Sequence, residues 1–367
     1  MKHLEIGFIG FGLIGGSIAR VLKKKKLDLS VIVYSRRKNP DLDQGKADGV
    51  IDNIVYEIDQ TFSTCDIIFL CAPVLKNLDF LPILKDIIKK DCILTDVGSV
   101  KNNICQQARR LGLAQQFIGG HPMAGSEKTG YANATDRLLE NAYYLLTPLK
   151  ENRAEDITLL QELVSYTGAN CVILSPKNHD LITAAISHVP HIIAVTLVNM
   201  VRKNDNEEEN MKAFAAGGFK DITRIASSSP EMWQDICIAN SDSIRFFLQY
   251  FEEQLKNFEQ MITAGNKQSI HDEFRSAGDY RNSIPAKKSS VIAPTYDIFV
   301  NIDDQTGAIA KIAVILSDND ISIKNIGIIN NREFLDGVLK LELYNKEDAR
   351  LAKRLLEQDH YDIITRD

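Results

Sequence analysis

The chain has 367 residues, of which 44% are hydrophobic and 25% charged, a composition typical of a globular protein with two or three domains. Its formal net charge is −6, and no basic stripe with interleaved aromatic residues occurs, which argues against a nucleic-acid partner. The six cysteines form no C-x-x-C pair, so we expect reduced thiols in a cytoplasmic protein. We also expect no export signal and no membrane span, because no signal-peptide pattern and no run of 18 apolar residues is found.

Residues 1–174 alternate short apolar runs with longer amphipathic segments. Strand-sized runs separated by helix-sized segments are typical of βαβ units, which build a mostly parallel sheet. We therefore expect a doubly wound α/β domain. Its predicted strands cover residues 6–9, 31–34, 67–71, 93–96, 117–119, 143–147 and 172–174.

Residues 175–284 change to long segments with helical periodicity. Helices are expected over residues 179–202, 211–226, 231–257 and 266–282. An acidic loop at 204–210 separates the first two, and Ser229 with Pro230 suits the start of the third. This all-helical domain has more apolar faces than it can bury alone, so we expect a homodimer.

A polar linker with nearby prolines is predicted at residues 285–294, followed by a small domain over residues 295–367. The pattern beyond the linker predicts strands over 296–302, 321–329, 338–343 and 361–364, with helices over 308–317 and 346–356. This βαββαβ order indicates a ferredoxin-like module.

A glycine fingerprint follows the first predicted strand. Gly10 suits the tight turn, Gly12 lets the backbone approach a pyrophosphate, and Gly15 allows close packing of helix on sheet. With Leu13 and Ile14 opening the helix, its N-terminus supplies N–H donors and positive potential. The pattern therefore predicts a dinucleotide site on a Rossmann-type domain, the alternative being a structural glycine turn.

The second strand ends in Ser35, Arg36 and Arg37, where an acidic side chain would bind the ribose 2′-hydroxyl of NAD. Arginine pairs well with a 2′-phosphate, and no carboxylate is present to repel one. This segment favours NADP, or use of both cofactors.

Four separated motifs closely resemble the prephenate dehydrogenase family of tyrosine biosynthesis. They begin at Gly119 (GGHPMAGSEKTG), Asp96 (DVGSVK), Ser187 (SHVPH) and Asp221 (DITRIA). The resemblance covers roughly residues 6–284. It implies oxidation of prephenate at its ring hydroxyl by NAD(P)+, NAD being the usual cofactor of the family, with loss of CO2 to give 4-hydroxyphenylpyruvate.

His121 follows a short apolar strand, where α/β sheets place ligands. Its position alone is equally compatible with a structural histidine, and the resemblance implies that it is the general base. For Ser99, a helix N-cap is the local interpretation, and the resemblance adds a role in orienting the catalytic histidine.

His188 and His191 lie three residues apart on one helical face, and no third metal ligand with suitable spacing is evident. They could be packing residues, whereas the resemblance implies that they line the substrate and nicotinamide-ribose pocket. Arg224 is the expected partner of a prephenate carboxylate, with a surface salt bridge to Asp221 as the alternative. The resemblance also places Asp221 itself and three further residues around the substrate: Glu127, Trp233, which could instead be core, and Gly217.

The C-terminal segment resembles an ACT domain, with the ligand-loop pattern beginning at Asp304. The resemblance implies an effector site with Asp304, Gly307 and Asn325, and feedback inhibition by L-tyrosine. A module used only for dimer assembly remains the alternative. For the whole chain, arogenate dehydrogenase and a non-catalytic amino-acid sensor are the competing functions.

Overall fold

The computed structural model describes residues 3–25, 27–125, 128–284, 296–302, 305–329 and 337–364. Backbone contacts divide the chain into two compact units, Met1–Ile284 and Pro285–Asp367.

An eight-stranded sheet forms the centre of the first unit. Its strands are β1 (Leu4–Ile9), β2 (Leu29–Tyr34), β3 (Asn53–Val55), β4 (Ile67–Leu70), β5 (Ile93–Asp96), β6 (Phe117–Pro122), β7 (Tyr143–Thr147) and β8 (Asn170–Ile173). The order is β3-β2-β1-β4-β5-β6-β7-β8, and all pairs are parallel except β6 with β7. All seven predicted strands are confirmed. The strand β3 was not predicted, because its three residues are too few to show a periodicity.

Both faces of this sheet are covered, which confirms the doubly wound class. In β4, Ile67 and Phe69 join one apolar cluster, while Ile68 and Leu70 join the other. A strand buried on both faces reads as a continuous apolar run. The covering helices are α1 (Leu13–Lys24), α2 (Pro40–Ala47), α3 (Val74–Lys85), α4 (Asn102–Arg110) and α5 (Ala154–Tyr166).

The rest of the first unit is helical, but more broken than the sequence predicts. It contains α6 (Pro176–Thr183), a π-helical turn (Ala184–His188), α7 (Val189–Asn204), α8 (Asn210–Phe214), α9 (Gly217–Thr223), a 3-10 turn (Arg224–Ser227), α10 (Pro230–Ala239), α11 (Ser241–Thr263) and α12 (Lys267–Ser283). The side chain of Ser229 caps α10 by accepting the Met232 N–H, so the predicted start of that helix is confirmed.

Two of the four predicted helices are wrong as single elements, whereas the first, over residues 179–202, is confirmed within one continuous helical stretch, Pro176–Asn204. Pro190 lacks an N–H, and the π-helical turn just before it lets this helical stretch continue. The second helix is interrupted before Gly217, where Ala216 is extended, and glycine is a weak helix former. The third breaks at Asn240, whose side chain bonds to Asp180 and His188 instead of leaving the helix continuous.

Within the described residues, the helical stretch Pro176–Asn204 is long and apolar enough to cross a membrane, with a mean hydropathy of 1.9 in its most apolar window. A single such helix is weak evidence for a span, because helices that pack against protein pass the same test. Only 28% of that window is buried in this chain. Ile186 and Val195 are among its exposed side chains. The stretch therefore has an apolar face that one copy of the chain does not cover.

The second unit is a four-stranded antiparallel sheet with two helices. Its elements are β9 (Tyr296–Ile302), α13 (Ala308–Ser317), β10 (Ile323–Ile329), β11 (Gly337–Leu343), α14 (Lys346–Gln358) and β12 (Ile363–Ile364). The strand order β10-β11-β9-β12 puts the first and third strands of the unit at the centre. The predicted βαββαβ, ferredoxin-like module is confirmed.

Candidate active site

The carboxyl ends of β1, β4, β5 and β6 meet at one edge of the first sheet, because these strands run parallel. The turn beginning at Gly10 follows β1, and Ser99 comes shortly after β5. His121 is the penultimate residue of β6. Parallel α/β sheets bind ligands at this edge. The structure thus places the predicted cofactor turn and the predicted base at the same edge.

Each glycine of the turn meets a different steric demand. Gly10 has a φ of +88°, a conformation that side chains rarely adopt. A Cβ on Gly15 would lie 3.1 Å from Sγ of Cys71, so glycine there lets α1 pack closely on the sheet. A Cβ on Gly12 would meet no atom within 4 Å, so space is open beside the helix N-terminus. The turn therefore fits the pyrophosphate of a dinucleotide.

Leu13 and Ile14 form the first turn of α1, and both are half-buried. Ser35, Arg36 and Arg37 follow β2 at the same edge of the sheet. The Ser35 hydroxyl donates to the Arg37 carbonyl at 2.8 Å, and both arginine side chains are exposed. Between β2 and α2 the chain carries no acidic residue. A ribose phosphate near this segment would meet cations without a competing carboxylate.

The ring of His121 is half-buried and held from one side. Its Nδ1 lies 2.8 Å from Nε2 of His179, whereas its own Nε2 has no hydrogen bond to any residue that the structure describes. Burial holds the pKa of His121 well below its usual value, and the neighbouring His179, Lys101 and His188 lower it further. At neutral pH the imidazole is uncharged, as a proton acceptor must be.

A buried ion pair supports the strand that carries His121. Lys101 is fully buried and pairs with Asp96, and its Nζ also donates to the carbonyl of Gly120 at 2.8 Å. Asp96 in turn accepts the backbone N–H groups of Gly98 at 2.9 Å and Gly120 at 3.2 Å. These bonds tie the end of β5 to the end of β6. They fix the backbone on which the imidazole stands.

Two glycines directly before His121 allow this close approach. A Cβ on Gly119 would lie 2.3 Å from Oγ1 of Thr147, and one on Gly120 would lie 2.6 Å from the carbonyl oxygen of Asp96. Real Cβ atoms do not come this close to other atoms. Glycine at both positions therefore lets β6 fit between its neighbouring strands.

His179 and Asp180, which were not predicted as site residues, are both buried beside the candidate base. The carboxylate of Asp180 accepts the backbone N–H groups of Lys101 at 2.7 Å and Asn102 at 2.8 Å. It therefore caps helix α4, so the predicted cap by Ser99 is wrong. Ser99 is half-buried and makes no hydrogen bond within the described ranges, and its role toward the base stays a prediction.

The only sequence feature that could have drawn attention to His179 and Asp180 is that they are adjacent titratable residues at the start of a predicted helix. Its significance depends on contacts with residues about 60 to 80 positions away. The same holds for Asp96 and Lys101, which stand inside a recognisable motif but reveal their pairing only in the fold.

Four predicted site residues form a cluster in the helical part. The ring of His191 stacks on Trp233 with centroids 3.9 Å apart, and the ring of His188 meets Trp233 edge-on at 5.9 Å. Burial lowers the pKa of His188 to about 4. Burial also lowers the pKa of His191, and the positive charge of Arg224 lowers it further. The indole N–H of Trp233 is buried and has no partner in the described part of the chain.

The other predicted substrate residues are not part of this cluster. Gly217 and Asp221 lie on α9, and both are exposed. Glu127 lies outside the described residues. Within those ranges, no group of three or more histidine, cysteine, aspartate and glutamate side chains could hold a metal ion.

The predicted effector residues belong to the second unit. Gly307 occupies the N-cap position of α13 with a φ of +87°, which favours glycine. Asn325 is exposed on β10, and its side chain accepts the N–H of Ile326 at 2.9 Å. Asp304 lies outside the described residues.

A glycine turn open to a pyrophosphate and an uncharged histidine at the same sheet edge define a nicotinamide-nucleotide-dependent dehydrogenase. Comparison with known proteins then shows that the chain belongs to the prephenate dehydrogenase family. The family model described as "Prephenate dehydrogenase, nucleotide-binding domain" matches residues 18–173, and "Prephenate dehydrogenase, dimerization domain" matches residues 175–276. The resemblance seen in the sequence motifs is confirmed.

Similar proteins agree over most of the chain. A prephenate dehydrogenase of Bacillus subtilis is 37% identical over 356 residues, covering 95% of this chain and 94% of the relative. One of Lactococcus lactis is 35% identical over 362 residues, 98% of each protein. The crystal structure of prephenate dehydrogenase from A. aeolicus in complex with hydroxyphenyl propionate and NAD+ is 28% identical, has a TM-score of 0.73, and covers 78% of this chain and 99% of its own.

Proposed function

We propose that this chain catalyses the oxidative decarboxylation of prephenate to 4-hydroxyphenylpyruvate in L-tyrosine biosynthesis. The observation that carries the proposal is an uncharged His121 at the sheet edge that also holds the open glycine turn. Membership of the prephenate dehydrogenase family identifies the substrate that this arrangement serves.

In this mechanism His121 removes the proton of the ring hydroxyl through Nε2. NAD(P)+, when bound, supplies the acceptor for the hydride that leaves the same carbon. Loss of the ring carboxylate as CO2 makes the ring aromatic, so the overall reaction is irreversible. Ser99, half-buried at the same edge, is proposed to bond to the hydroxyl or to the base and so orient them.

Substrate binding falls to the helical part of the first unit. Prephenate carries two carboxylates, and the chain has a net charge of −6, so cations must be concentrated at the site. We assign a carboxylate to Arg224, whose planar guanidinium can donate two parallel hydrogen bonds. His188, His191 and Trp233 would line the pocket, with the indole N–H, which has no partner among the described residues, as a further donor.

Glu127, Gly217 and Asp221 are proposed to surround the same substrate, on the strength of family resemblance. The exposed Arg36 and Arg37 support use of NADP beside NAD, because no carboxylate lies between β2 and α2. We therefore expect a KM for NADP that does not exceed the KM for NAD by more than about tenfold. A stronger preference for NAD would refute that part of the proposal.

The chain is proposed to act as a cytoplasmic homodimer, with the ACT-like second unit binding L-tyrosine. The uncovered apolar face of Pro176–Asn204 and the match to a dimerization domain support the dimer. Light scattering at micromolar concentration tests it, and a monomer mass would refute it.

One assay tests the activity itself: NADH and NADPH formation is followed with prephenate and, separately, with arogenate. Turnover of prephenate with release of 4-hydroxyphenylpyruvate is expected. Arogenate differs only in carrying an amine in place of the keto group, so preferential turnover of arogenate would make the enzyme an arogenate dehydrogenase. Absence of turnover with both substrates would leave a non-catalytic sensor.

A further inference from the structure

Three side chains form a continuous hydrogen-bonded line from the candidate base into the protein. His121 Nδ1 lies 2.8 Å from His179 Nε2, and His179 Nδ1 lies 2.8 Å from Oδ1 of Asp180. His179 is completely buried, and Asp180 is 3% exposed. The motifs that identify the family do not include either residue of this pair, and the mechanism above does not use them.

The carboxylate of Asp180, the innermost group of the three, determines which atom donates in each hydrogen bond. The two carboxylate oxygens of Asp180 accept the backbone N–H groups of Lys101 and Asn102 at the N-terminus of α4. Backbone N–H groups can only donate, and a helix N-terminus stabilises negative charge. Asp180 is therefore an ionised acceptor, and the proton in its bond with His179 belongs to the histidine Nδ1.

The tautomer of the next ring follows. Burial lowers the pKa of His179, so the ring is neutral, and with Nδ1 protonated its Nε2 carries a lone pair. That lone pair accepts from His121, whose Nδ1 must then bear the hydrogen. Neutral His121 is left with a bare Nε2. We propose that His179 and Asp180 are positioning residues that fix His121 in this tautomer, the one that can accept the substrate's hydroxyl proton.

A second branch of the same network gives His188 the opposite tautomer. The amide nitrogen of Asn240 donates to the backbone carbonyl of Asp180 at 2.8 Å and lies 3.1 Å from Nδ1 of His188. Because an amide NH2 only donates, His188 accepts at Nδ1 and carries its proton on Nε2. Asp180 thus influences the tautomers of two histidines. His121 is left with an acceptor at Nε2, and His188 with a donor at Nε2.

The line also compensates charge when His121 takes a proton. The charged and titratable groups that act on His121 are His179, Lys101 and His188, all of which oppose an added positive charge. Lys101 is already paired with Asp96. The carboxylate of Asp180, through His179, is the negative group aligned with the His121 Nδ1–H bond. Loss of the Asp180 carboxylate should therefore make His121 a weaker base and disturb the tautomer of His121.

This inference rests on His121 being the base of the proposed function, so the test includes a readout that does not depend on turnover. In the full-length protein with labelled histidine, ¹⁵N NMR reports which ring nitrogen of His121 carries the proton, with His121→Asn supplying the assignment. We expect the proton on Nδ1 in the parent and loss of this state in Asp180→Asn. A parent signal with the proton on Nε2 would overturn the proposal whatever the activity.

Kinetics provide the second readout. Asp180→Asn should lower kcat by roughly 10²–10⁴-fold, as expected for the wrong tautomer of a catalytic histidine, with little change in KM. His179→Leu should lose activity to a similar degree, whereas His179→Gln should recover much of it, because its amide oxygen can accept from His121 Nδ1–H. His179→Leu with near-parent kcat, or His179→Gln as impaired as His179→Leu, would contradict the proposal.

The chain offers a matched control. His271 and Asp272 are also consecutive residues on a helix with an Nδ1 to Oδ1 distance of 3.1 Å, but both are exposed. Asp272→Asn should leave kcat, KM and the His121 signals unchanged. NAD binding and thermal unfolding of every variant separate a loss of positioning from a loss of fold.

Discussion

At the residue scale, the chemistry depends on His121 being uncharged while it stands among other cationic or titratable groups. Its family motif and its place near the carboxyl end of a strand made it predictable from the sequence. Its supporting partners were not predictable, because His179 and Lys101 come from distant parts of the chain. A pairwise contact between positions 121 and 179 leaves no periodicity or spacing for sequence analysis to detect.

The low pKa of His121 has a consequence for pH dependence. The base acts in its neutral form, so kcat/KM should fall only when the pH drops below the lowered pKa of the free enzyme. We expect kcat/KM for prephenate to stay constant from neutral pH to below pH 6.5, the ordinary value for histidine. An acid limb centred at or above 6.5 would contradict this. Recovery of activity after return to neutral pH controls for acid unfolding.

Arg224→Ala should raise the KM for prephenate far more than it lowers kcat. A charge-assisted bond to a carboxylate is worth about 1.5–3 kcal/mol, which corresponds to roughly a ten- to 150-fold change in KM. Steady-state kinetics provide the measurement, and Arg110→Ala, at an exposed arginine in the last turn of α4, is the control. A fall in kcat at unchanged KM would mean that Arg224 does not bind the ground-state substrate.

At the element scale, the strands were predictable because burial on both faces leaves continuous apolar runs. The boundaries of the helices in residues 175–284 were less predictable. The break before Gly217 has a local signal that a long helical period concealed. The break at Asn240 has none, because it comes from hydrogen bonds to Asp180 and His188, far away in sequence.

Two glycines of the first unit should respond differently to the same added methyl group. Gly120→Ala places a Cβ 2.6 Å from the carbonyl oxygen of Asp96, so β6 must move, at a cost of roughly 1–3 kcal/mol. Gly12→Ala meets open space and should leave stability nearly unchanged while weakening NAD binding. Thermal unfolding and NAD titration measure both effects. Equal stability of the two variants, or unaltered NAD affinity in Gly12→Ala, would contradict these assignments.

At the scale of the whole molecule, the fold class of both units was predictable, and so was the family. Partners and effectors were less predictable, because they bind surfaces that a single copy of the chain leaves uncovered. The apolar stretch Pro176–Asn204 is an example, since it is mostly unburied in a single copy. The apolar pattern of the sequence shows that such a face exists. That a second subunit covers this face is a proposal.

Regulation through the second unit can be tested by ending the chain after Ile284, the boundary of the first compact unit. If the ACT-like unit binds the effector, the shortened enzyme should keep prephenate turnover and lose inhibition by L-tyrosine. Inhibition curves of the full and shortened chains give the comparison. Unchanged inhibition would place the tyrosine site in the first unit and leave the second unit with a role in assembly.

The proposed chemistry depends on one uncharged imidazole, that of His121, removing the hydroxyl proton of prephenate. The most direct measurement is the steady-state kinetics of His121→Asn with prephenate and NAD+, beside His3→Asn at an exposed histidine remote in sequence. We predict that kcat falls by roughly 10²–10⁴-fold while KM stays close to that of the parent. A His121→Asn enzyme that turns over prephenate at nearly the parent rate would contradict the account.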